Sequence, residues 1–247
     1  MSDVITYIGH ATTLVEIGGR RFLTDPMLAD RLLHIRRVAP SPDLAALQGL
    51  DAVLVSHAHL DHLHLPSLKL VAGTCPVVVP RGCGQLVRRG GMTDVTEIDA
   101  GERIEIGGVE IAATPALHEG RRWPLGRHTP TLGFVLDGTT RVYFAGDTDL
   151  FEGMRDLAGS IDVALVPIAG WGAHLPAGHL DPPRAAEAIR LLEPRIAIPI
   201  HWGTLASRAL RQLGDLGAAA REFAELAADA GPAVDVHVLQ PGQSLRV

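Results

Sequence analysis

The chain has 247 residues, of which 28 are acidic and 22 are lysine or arginine, and its formal charge is −6. A surface that binds nucleic acids generally shows a basic excess or stripe, so this balance argues against general nucleic-acid binding. No apolar run approaches the roughly 18 residues of a membrane-spanning helix, which argues against a transmembrane segment. Hydrophobic residues make up 47% of the chain, enough for a substantial core, and the length predicts one domain over residues 1–247.

The N-terminal segment MSDVITYIGH has no basic stretch followed by an apolar core, so no secretory leader is predicted. The spacing of the two cysteines, Cys75 and Cys83, fits no common zinc knuckle, and two thiols form no disulfide framework. Reduced, structurally incidental thiols are typical of cytoplasmic proteins, and the cytoplasm is the predicted location.

The N-terminal segments predict short strands that form a first sheet. These strands are Val4–Ile8, Thr13–Ile17 and Arg21–Thr24. The last two are joined through Gly18-Gly19, which is typical of a hairpin. Leu28–Leu50 lacks clean periodicity and contains two prolines, which suggests a loop with a short helix lying over the mouth of a site. Ala52–Val55 then predicts a buried parallel strand that ends at Ser56.

Directly after that strand the chain reads H-x-H-x-D-H, formed by His57, His59, Asp61 and His62. Residues two apart in an extended loop point to the same side, so the first two imidazoles can converge while the other side chains turn to a neighbouring centre. Solvated loop histidines or hydrogen-bonded core histidines are the alternative. Four ligand types at fixed offsets after a buried strand favour a metal site. His64 falls outside the pattern, and we expect it at the surface or beside a ligand.

The remaining elements alternate between strands and helices. Predicted helices are Pro66–Ala72, Gly84–Arg89, Arg184–Leu192, Leu216–Ala228 and one that begins near Leu150. Predicted strands are Val77–Val79, Val95–Ile98, Arg103–Ile106, Val109–Ala113, Thr131–Leu136, Arg141–Phe144, Val163–Ile168, Ile196–Ile200, Val234–Leu239 and Ser244–Val247. Several strands end in polar loops, and ligands of open sheets usually bind at such carboxyl ends.

The loop Thr114–Pro130 carries His118 almost at the end of a strand, where a third imidazole would complete a site with His57 and His59. Trp123 and His128 in the same loop line a substrate pocket or form a flexible rim, and the sequence does not separate these alternatives.

Asp147 follows another strand in AGDTD. It is either a metal ligand or the cap of the following helix, and Thr148 or Asp149 can supply that cap instead.

The motif His57-Ala58-His59-Leu60-Asp61-His62 resembles the signature of the metallo-β-lactamase superfamily. The resemblance extends to His118 in PALHEG, Asp147 in FAGDTD and His201 in IPIHWG. The spacing from GHLDP to IPIHWGT is similar to the branch that contains N-acylphosphatidylethanolamine phospholipase D and ascorbate-phosphate lactonase-like proteins. Asp149 stands where many relatives carry glycine, and His174 has no counterpart in this pattern.

This resemblance implies a four-layer αββα sandwich, with two mixed sheets face to face and the site along their shared edge. It also implies two divalent metal ions, with zinc as the default and manganese or iron as alternatives. His57, His59 and His118 would bind the first ion, Asp61, His62 and His201 the second, and Asp147 both. His179 would face the substrate. Asp25 and His10, at strand ends, are expected to orient ligands.

The implied activity is hydrolysis by a metal-bridging hydroxide, with Asp61, Asp147 and His179 as catalytic residues. A phosphodiester or a phosphorylated small molecule is the favoured substrate, and a lactone or ester is the alternative. A di-iron redox protein is disfavoured, because His59 is intact and the chain has no room for a flavin domain. A metal-free binding module is disfavoured as well, since every expected ligand is present. Homo-oligomerisation is compatible with the sequence.

Overall fold

The computed structural model describes residues 2–73, 75–122, 126, 128–230 and 233–247. The strands are β1 (Val4–Gly9), β2 (Thr12–Ile17), β3 (Arg20–Thr24), β4 (Arg31–Leu32), β5 (Ile35–Arg37), β6 (Ala52–Leu54), β7 (Val77–Pro80), β8 (Val95–Ile98), β9 (Arg103–Ile106), β10 (Val109–Pro115), β11 (Leu132–Asp137), β12 (Arg141–Phe144), β13 (Val163–Pro167), β14 (Ile196–Ile200), β15 (Leu205–Ala206), β16 (Asp235–Val236) and β17 (Ser244–Arg246). The helices are α1 (Leu65–Val71), α2 (Gly84–Arg89), α3 (Pro182–Leu192), α4 (Arg208–Leu213) and α5 (Ala218–Ala230), with a 3₁₀ helix at Glu152–Leu157.

Two seven-stranded sheets dominate the structure. The first has the order β17-β1-β2-β3-β6-β7-β8 and the second the order β16-β14-β13-β12-β11-β10-β9. Each is antiparallel on one side and parallel on the other, because β3, β6, β7 and β8 run parallel, as do β12, β13, β14 and β16. A third, three-stranded sheet has the order β15-β5-β4. Chain connections therefore bring the carboxyl ends of several parallel strands to one edge.

The main core lies between the two large sheets. Phe22 of the first sheet shares a cluster of buried side chains with Phe134 and Phe144 of the second. Alternate residues of the first sheet, such as Val53 and Val77, face the other way and pack against α1 and α2. On the outer face of the second sheet, α3 and α5 pack against each other and against the parallel strands. The predicted four-layer α/β sandwich is confirmed.

Strand burial explains why the central strands could be recognised from their composition. Every residue of Val163–Pro167 and of Ile196–Ile200 is buried, as expected for parallel strands covered on both faces. The predicted hairpin at Gly18-Gly19 is present, and both glycines have positive φ, as that tight turn requires. Within the described residues, no helix is long and apolar enough to cross a membrane.

Three element predictions were wrong. Leu28–Leu50 contains no helix, since β4 and β5 form a hairpin there whose backbone pairs with β15, and such long-range pairing is invisible to local periodicity. The helix expected near Leu150 is a 3₁₀ turn that begins at Glu152, because the side chain of Asp149 already accepts from the Leu150 amide. Of the predicted strand Val234–Leu239, only β16 pairs with the sheet.

Candidate metal centre

Five strand ends deliver the candidate ligands to one edge of the sandwich. The loop after β6 carries His57, His59, Asp61 and His62, while β10 is followed by His118, β12 by Asp147 and β14 by His201. The fifth, β1, is followed by His10. All seven predicted metal ligands are brought together here, and their role as ligands remains a prediction.

His57, His59 and His118 form one group, which we call the three-histidine cluster. His59 Nδ1 lies 2.9 Å from His57 Nε2 and 3.1 Å from His118 Nε2. His118 donates from Nδ1 to the carbonyl oxygen of Gly178 at 2.8 Å. In the neutral ring its Nε2 therefore carries the lone pair, and that lone pair faces the cluster.

A hydroxyl fixes the tautomer of His57 in the same way. Ser56 Oγ contacts Asp25 Oδ2 and lies 2.9 Å from His57 Nδ1. When the hydroxyl donates to the carboxylate, its oxygen accepts from the imidazole Nδ1–H, and the lone pair of Nε2 is left for the cluster.

The three-histidine cluster is neutral at ordinary pH. Burial lowers the pKa of His57 well below its usual value. Burial, followed by repulsion from His118 and His62, lowers the pKa of His59 to about 4. Burial also lowers the pKa of His118. Neutral imidazole is the form that binds metal, so no proton has to leave this cluster before an ion enters.

Asp61, His62 and His201 form a second group, the acidic cluster, with His10 at its edge. His62 Nε2 lies 3.3 Å from His201 Nε2 and 3.7 Å from Asp61 Oδ2. The other side of His62 contacts Asp25, with Nδ1 2.7 Å from Oδ2. His10 Nε2 lies 3.0 Å from Asp61 Oδ2. Asp25 and His10 thus both contact predicted ligands, in line with the orienting role that the family resemblance implies for them.

Asp147 lies between the two groups. Its Oδ2 is 3.2 Å from His62 Nε2 and 4.0 Å from His57 Nε2. Its Oδ1 is 3.3 Å from His201 Nε2, yet this buried oxygen has no hydrogen-bond partner in the described part of the chain. Asp147 is not a helix cap, because the following helix begins only at Glu152.

The contact between Asp147 Oδ1 and His201 Nε2 has the chemistry of a cation-binding site. His201 donates from Nδ1 to the Ala169 carbonyl oxygen at 2.8 Å, and burial lowers its pKa to about 3. Its Nε2 therefore presents a lone pair to a carboxylate oxygen. Two buried acceptors facing each other are unfavourable unless a cation lies between them. The residues present thus suit a bound metal ion.

Backbone geometry at the site is unusual. His10, Asp25 and His201 adopt positive φ angles of 58°, 32° and 64°, a region that non-glycine residues seldom enter. Such conformations persist where the surroundings hold them, and they concentrate at functional sites. Gly146, beside Asp147, also has positive φ, and a Cβ there would lie 2.8 Å from the Ser56 side chain. The turn can therefore approach the metal loop only with glycine at this position.

Sequence reasoning missed three contributors to the site. Ser56 bridges Asp25 and His57, as described above. Trp171 donates from Nε1 to Asp61 Oδ2 at 3.1 Å. Arg122 donates from Nη1 to the Ala58 and Leu63 carbonyls at 2.7 and 2.9 Å, which fastens both ends of the metal loop. Ser56 lies two residues after β6 and Trp171 four residues after β13, and this position close behind a buried strand was the available signal.

The other histidines are spread over the surroundings. His179 Nε2 lies 3.4 Å from Asp147 Oδ2. His64 contacts Ser67 Oγ at 2.7 Å rather than a member of either cluster. His128 is exposed, 3.7 Å from Glu119. His174 lines the cleft described next, and Trp123 lies outside the described residues.

A cleft of about 350 Å³ opens onto both clusters. His59, His118, Asp61, Asp147, His179 and His201 form its floor. Much of its wall is apolar and includes Leu32, Ile35, Leu60, Trp171, Leu175 and Pro176. Four residues of the β4–β5 hairpin, 32 to 35, line the cleft, so the segment predicted to cover the mouth of the site does line it.

The fold and the site together define an α/β sandwich with a His/Asp cluster suited to metal at its sheet edge. The chain matches the Beta-lactamase superfamily domain over residues 20–202, and it belongs to that superfamily. The predicted family is confirmed.

Relatives agree with this assignment. A metal-dependent hydrolase of Methanopyrus kandleri is 36% identical over 249 residues, covering 97% of this chain and 98% of the relative. The N-acyl-phosphatidylethanolamine-hydrolyzing phospholipase D 1 of Caenorhabditis elegans is 34% identical, covering 81% of this chain and 63% of the relative. An uncharacterized protein of Mycobacterium tuberculosis is 31% identical over 81% of this chain, and the match spans only 58% of its length.

Solved structures show the same fold. Igni18, a metallo hydrolase of Ignicoccus hospitalis, superposes with a TM-score of 0.75 at 24% identity, covering 100% of this chain and 99% of that one. The predicted enzyme class, a metal-dependent hydrolase of this superfamily, is confirmed at the level of class by the matched domain and the relatives.

Proposed function

We propose that the protein is a hydrolase that uses two divalent metal ions to cleave a phosphodiester or a phosphorylated small molecule. The observation that carries the proposal is Asp147, whose buried carboxylate lies between the three-histidine cluster and the acidic cluster with Oδ1 unpartnered among the described residues. One carboxylate shared by two ions holds them close and offsets part of their repulsion.

The three-histidine cluster would hold one ion and the acidic cluster the other, with Asp147 between them. Zinc suits the imidazole-rich set, and manganese or iron would suit the set that contains Asp61. Bound ions of this kind lower the pKa of a coordinated water and stabilise negative charge that develops on the substrate.

His179 is the group of this chain that would act on the substrate. Its Nδ1 donates to the Pro176 carbonyl oxygen at 3.1 Å, and its Nε2 faces Asp147. Burial lowers the pKa of His179, but the hydrogen bond and the charge of Asp147 outweigh burial and leave the pKa raised. A proton on Nε2 would therefore be available to donate to a substrate oxygen in the cleft.

The phosphodiester is favoured by the similarity to the C. elegans phospholipase D, together with the histidine in GHLDP. A second candidate, lactone or ester hydrolysis on the same site, is favoured by the apolar wall of the cleft, which suits an acyl or lactone ring. A di-iron redox role is disfavoured by the three-imidazole composition of the first cluster. The proposal includes one catalytic domain over residues 1–247, a cytoplasmic location and a small-molecule substrate.

Elemental analysis after reconstitution tests the metal count, and turnover of a bis(aryl) phosphodiester against an aryl ester tests the substrate. Close to two equivalents of metal and preference for the phosphodiester are expected. His128→Ala is the matched control, because it removes an exposed imidazole that contacts neither cluster. Saturation at one equivalent, even with excess metal, would contradict the dinuclear assignment. Preference for the ester would select the second candidate.

A further inference from the structure

An ion pair lies beside the candidate metal centre but has no part in the ligand set. Asp149, two residues after Asp147, accepts through Oδ1 from Arg184 Nη2 in the first turn of α3. The Asp149 side chain is only 13% exposed, and that of Arg184 is 42% exposed. The pair is therefore partly shielded from solvent, unlike an ordinary surface pair.

On the Asp149 side, the turn is fastened to the loop that carries His118. The Asp149 amide donates to the Leu117 carbonyl oxygen at 3.0 Å. The Leu117 amide in return donates to Thr148 Oγ1 at 2.9 Å. Asp149 therefore sits on a turn that is already fixed relative to one wall of the metal centre.

On the Arg184 side, the same guanidinium reaches the loop that carries His179. Arg184 Nη1 donates to the His179 carbonyl oxygen at 3.5 Å, and the Arg184 amide donates to Asp181 Oδ1 at 3.0 Å. One side chain thus spans from the Asp149 carboxylate to the backbone of the residue that we propose to act on the substrate.

The loop that carries His179 approaches the candidate metal centre very closely, so its position has to be held by contacts such as these. Gly178 has positive φ, and a Cβ there would lie 3.3 Å from His118 Nδ1. The next residue, His179, places its ring centroid 4.5 Å from that of His118. A small shift of this loop would change the distance of 3.4 Å between His179 Nε2 and Asp147 Oδ2.

We propose that the Asp149–Arg184 ion pair is a positioning device that holds the His179 loop against the Asp147 turn and so sets the place of the His179 imidazole. This inference rests on the proposed function, in which His179 donates to the substrate. Neither Asp149 nor Arg184 touches the reacting atoms, and both act through His179.

The test uses the metal-loaded, full-length protein with Asp149→Asn, Arg184→Ala, and both changes together. Asparagine keeps an oxygen for the Leu150 amide and removes only the charge. Arg190→Ala is the matched control, since Arg190 lies on the same helix in an exposed pair with Glu187. Arg184→Lys restores the positive charge and should recover part of any loss.

With the bis(aryl) phosphodiester, each single variant should lower kcat by about tenfold or more, towards the roughly hundredfold that a 1 Å misplacement can cause. KM and metal content should change little. The double variant should be no slower than the slower single variant, because the two side chains act as one unit. In a His179→Ala background, Arg184→Ala should have no further effect. An equal loss in both backgrounds would overturn the proposal.

A second measurement needs no turnover. Limited chymotrypsin cleavage after Trp171 or Leu175 reports how firmly the loop is held. Cleavage should be several-fold faster in Asp149→Asn and Arg184→Ala, and unchanged in Arg190→Ala. If wild type and variants fail on every substrate while cleavage follows this pattern, the proposed function is wrong and the pair still tethers the loop. An unchanged cleavage rate in Asp149→Asn and Arg184→Ala would overturn the proposal that the ion pair holds the His179 loop.

Discussion

The two clusters at the sheet edge reach the metal-binding form by different routes. In the three-histidine cluster, burial, aided by repulsion from neighbouring imidazoles, lowers the pKa values of the three rings, and each ring is already neutral. In the acidic cluster, burial alone would lower the pKa of His62. The negative charges of Asp147, Asp61 and Asp25 outweigh this effect of burial and raise the pKa of His62 well above its usual value. In the proposed dinuclear site, the three-histidine cluster would take up an ion directly, whereas the acidic cluster would release a proton from His62 when an ion binds.

The groups that orient the ligands of the two clusters also differ in charge. The three-histidine cluster is oriented by neutral partners, a hydroxyl and a backbone carbonyl, through Ser56 and Gly178. The acidic cluster is oriented by a buried carboxylate and an indole, through Asp25 and Trp171. In the proposed arrangement, the carboxylate of Asp147 joins a neutral site to a charged one.

The largest expected effect is that of Asp147→Ala, because Asp147 is the one side chain that we place in both subsites. Turnover should be abolished, and metal should be lost from both clusters. Elemental analysis and the rate with the phosphodiester measure the two effects. His64→Ala is the control, since the His64 imidazole contacts Ser67 rather than a member of either cluster. Wild-type metal content and activity in Asp147→Ala would show that the carboxylate has a purely structural role.

His179→Ala should separate chemistry from metal binding. Losing one donor to a developing negative charge typically costs about 2.7 to 4 kcal/mol, or roughly a hundred- to a thousandfold in rate. Metal content should stay intact, whereas His201→Ala should lose the metal of the acidic cluster as well as activity. Both variants are compared by elemental analysis and by kcat. Loss of a metal in His179→Ala, with both metals retained in His201→Ala, would exchange the two roles.

Asp25→Asn should weaken the acidic cluster more than the three-histidine cluster. It leaves His62 without its carboxylate partner, and loss of such a partner typically lowers metal affinity about 10- to 100-fold. Ser56→Ala is the converse change, because Ser56 bonds to the ring of His57 but not to that of His62. Competition with a chromophoric chelator measures both affinities. Equal weakening of both clusters in each variant would contradict the separation.

Much of this architecture was accessible from the sequence. Buried apolar runs such as Val163–Pro167 identified the central strands, and fixed spacing in HAHLDH identified the metal loop. Positions of His118, Asp147 and His201 followed from the family resemblance. Local patterns of this kind can be recognised without knowledge of the fold, because each lies within one secondary-structure element and the loop that follows it.

What the sequence did not yield depends on contacts between distant segments. Trp171 donates a hydrogen bond to Asp61, from which it is separated by 110 positions in the sequence. The β4–β5 hairpin is stabilised by pairing with β15, near residue 205. Arg122, in the loop Thr114–Pro130, binds two carbonyls of the metal loop. None of these partners has a local signature. The positive φ of His201 also depends on its surroundings, since nothing in IPIHWG demands it.

The smallest effect, and the most direct test of the comparison, is the pH dependence of metal binding. Since the pKa of His62 is raised well above its usual value, this ring keeps its proton to a higher pH than a free imidazole does, and an ion that binds there would have to displace the proton. Affinity of the acidic cluster should therefore rise about tenfold per pH unit up to the pKa of His62 and then level off.

The three-histidine cluster should behave differently, because burial lowers the pKa of all three imidazoles and brings that of His59 to about 4. Its affinity should be nearly constant between about pH 6 and about pH 8. Chelator competition at several pH values gives both slopes. In Asp25→Asn the affinity of the acidic cluster should level off at lower pH, since one of the carboxylates that raises the pKa of His62 has become neutral. If metal affinity depends on pH with the same slope in both clusters, the two clusters bind metal in the same protonation state, and the proposed difference between them is wrong.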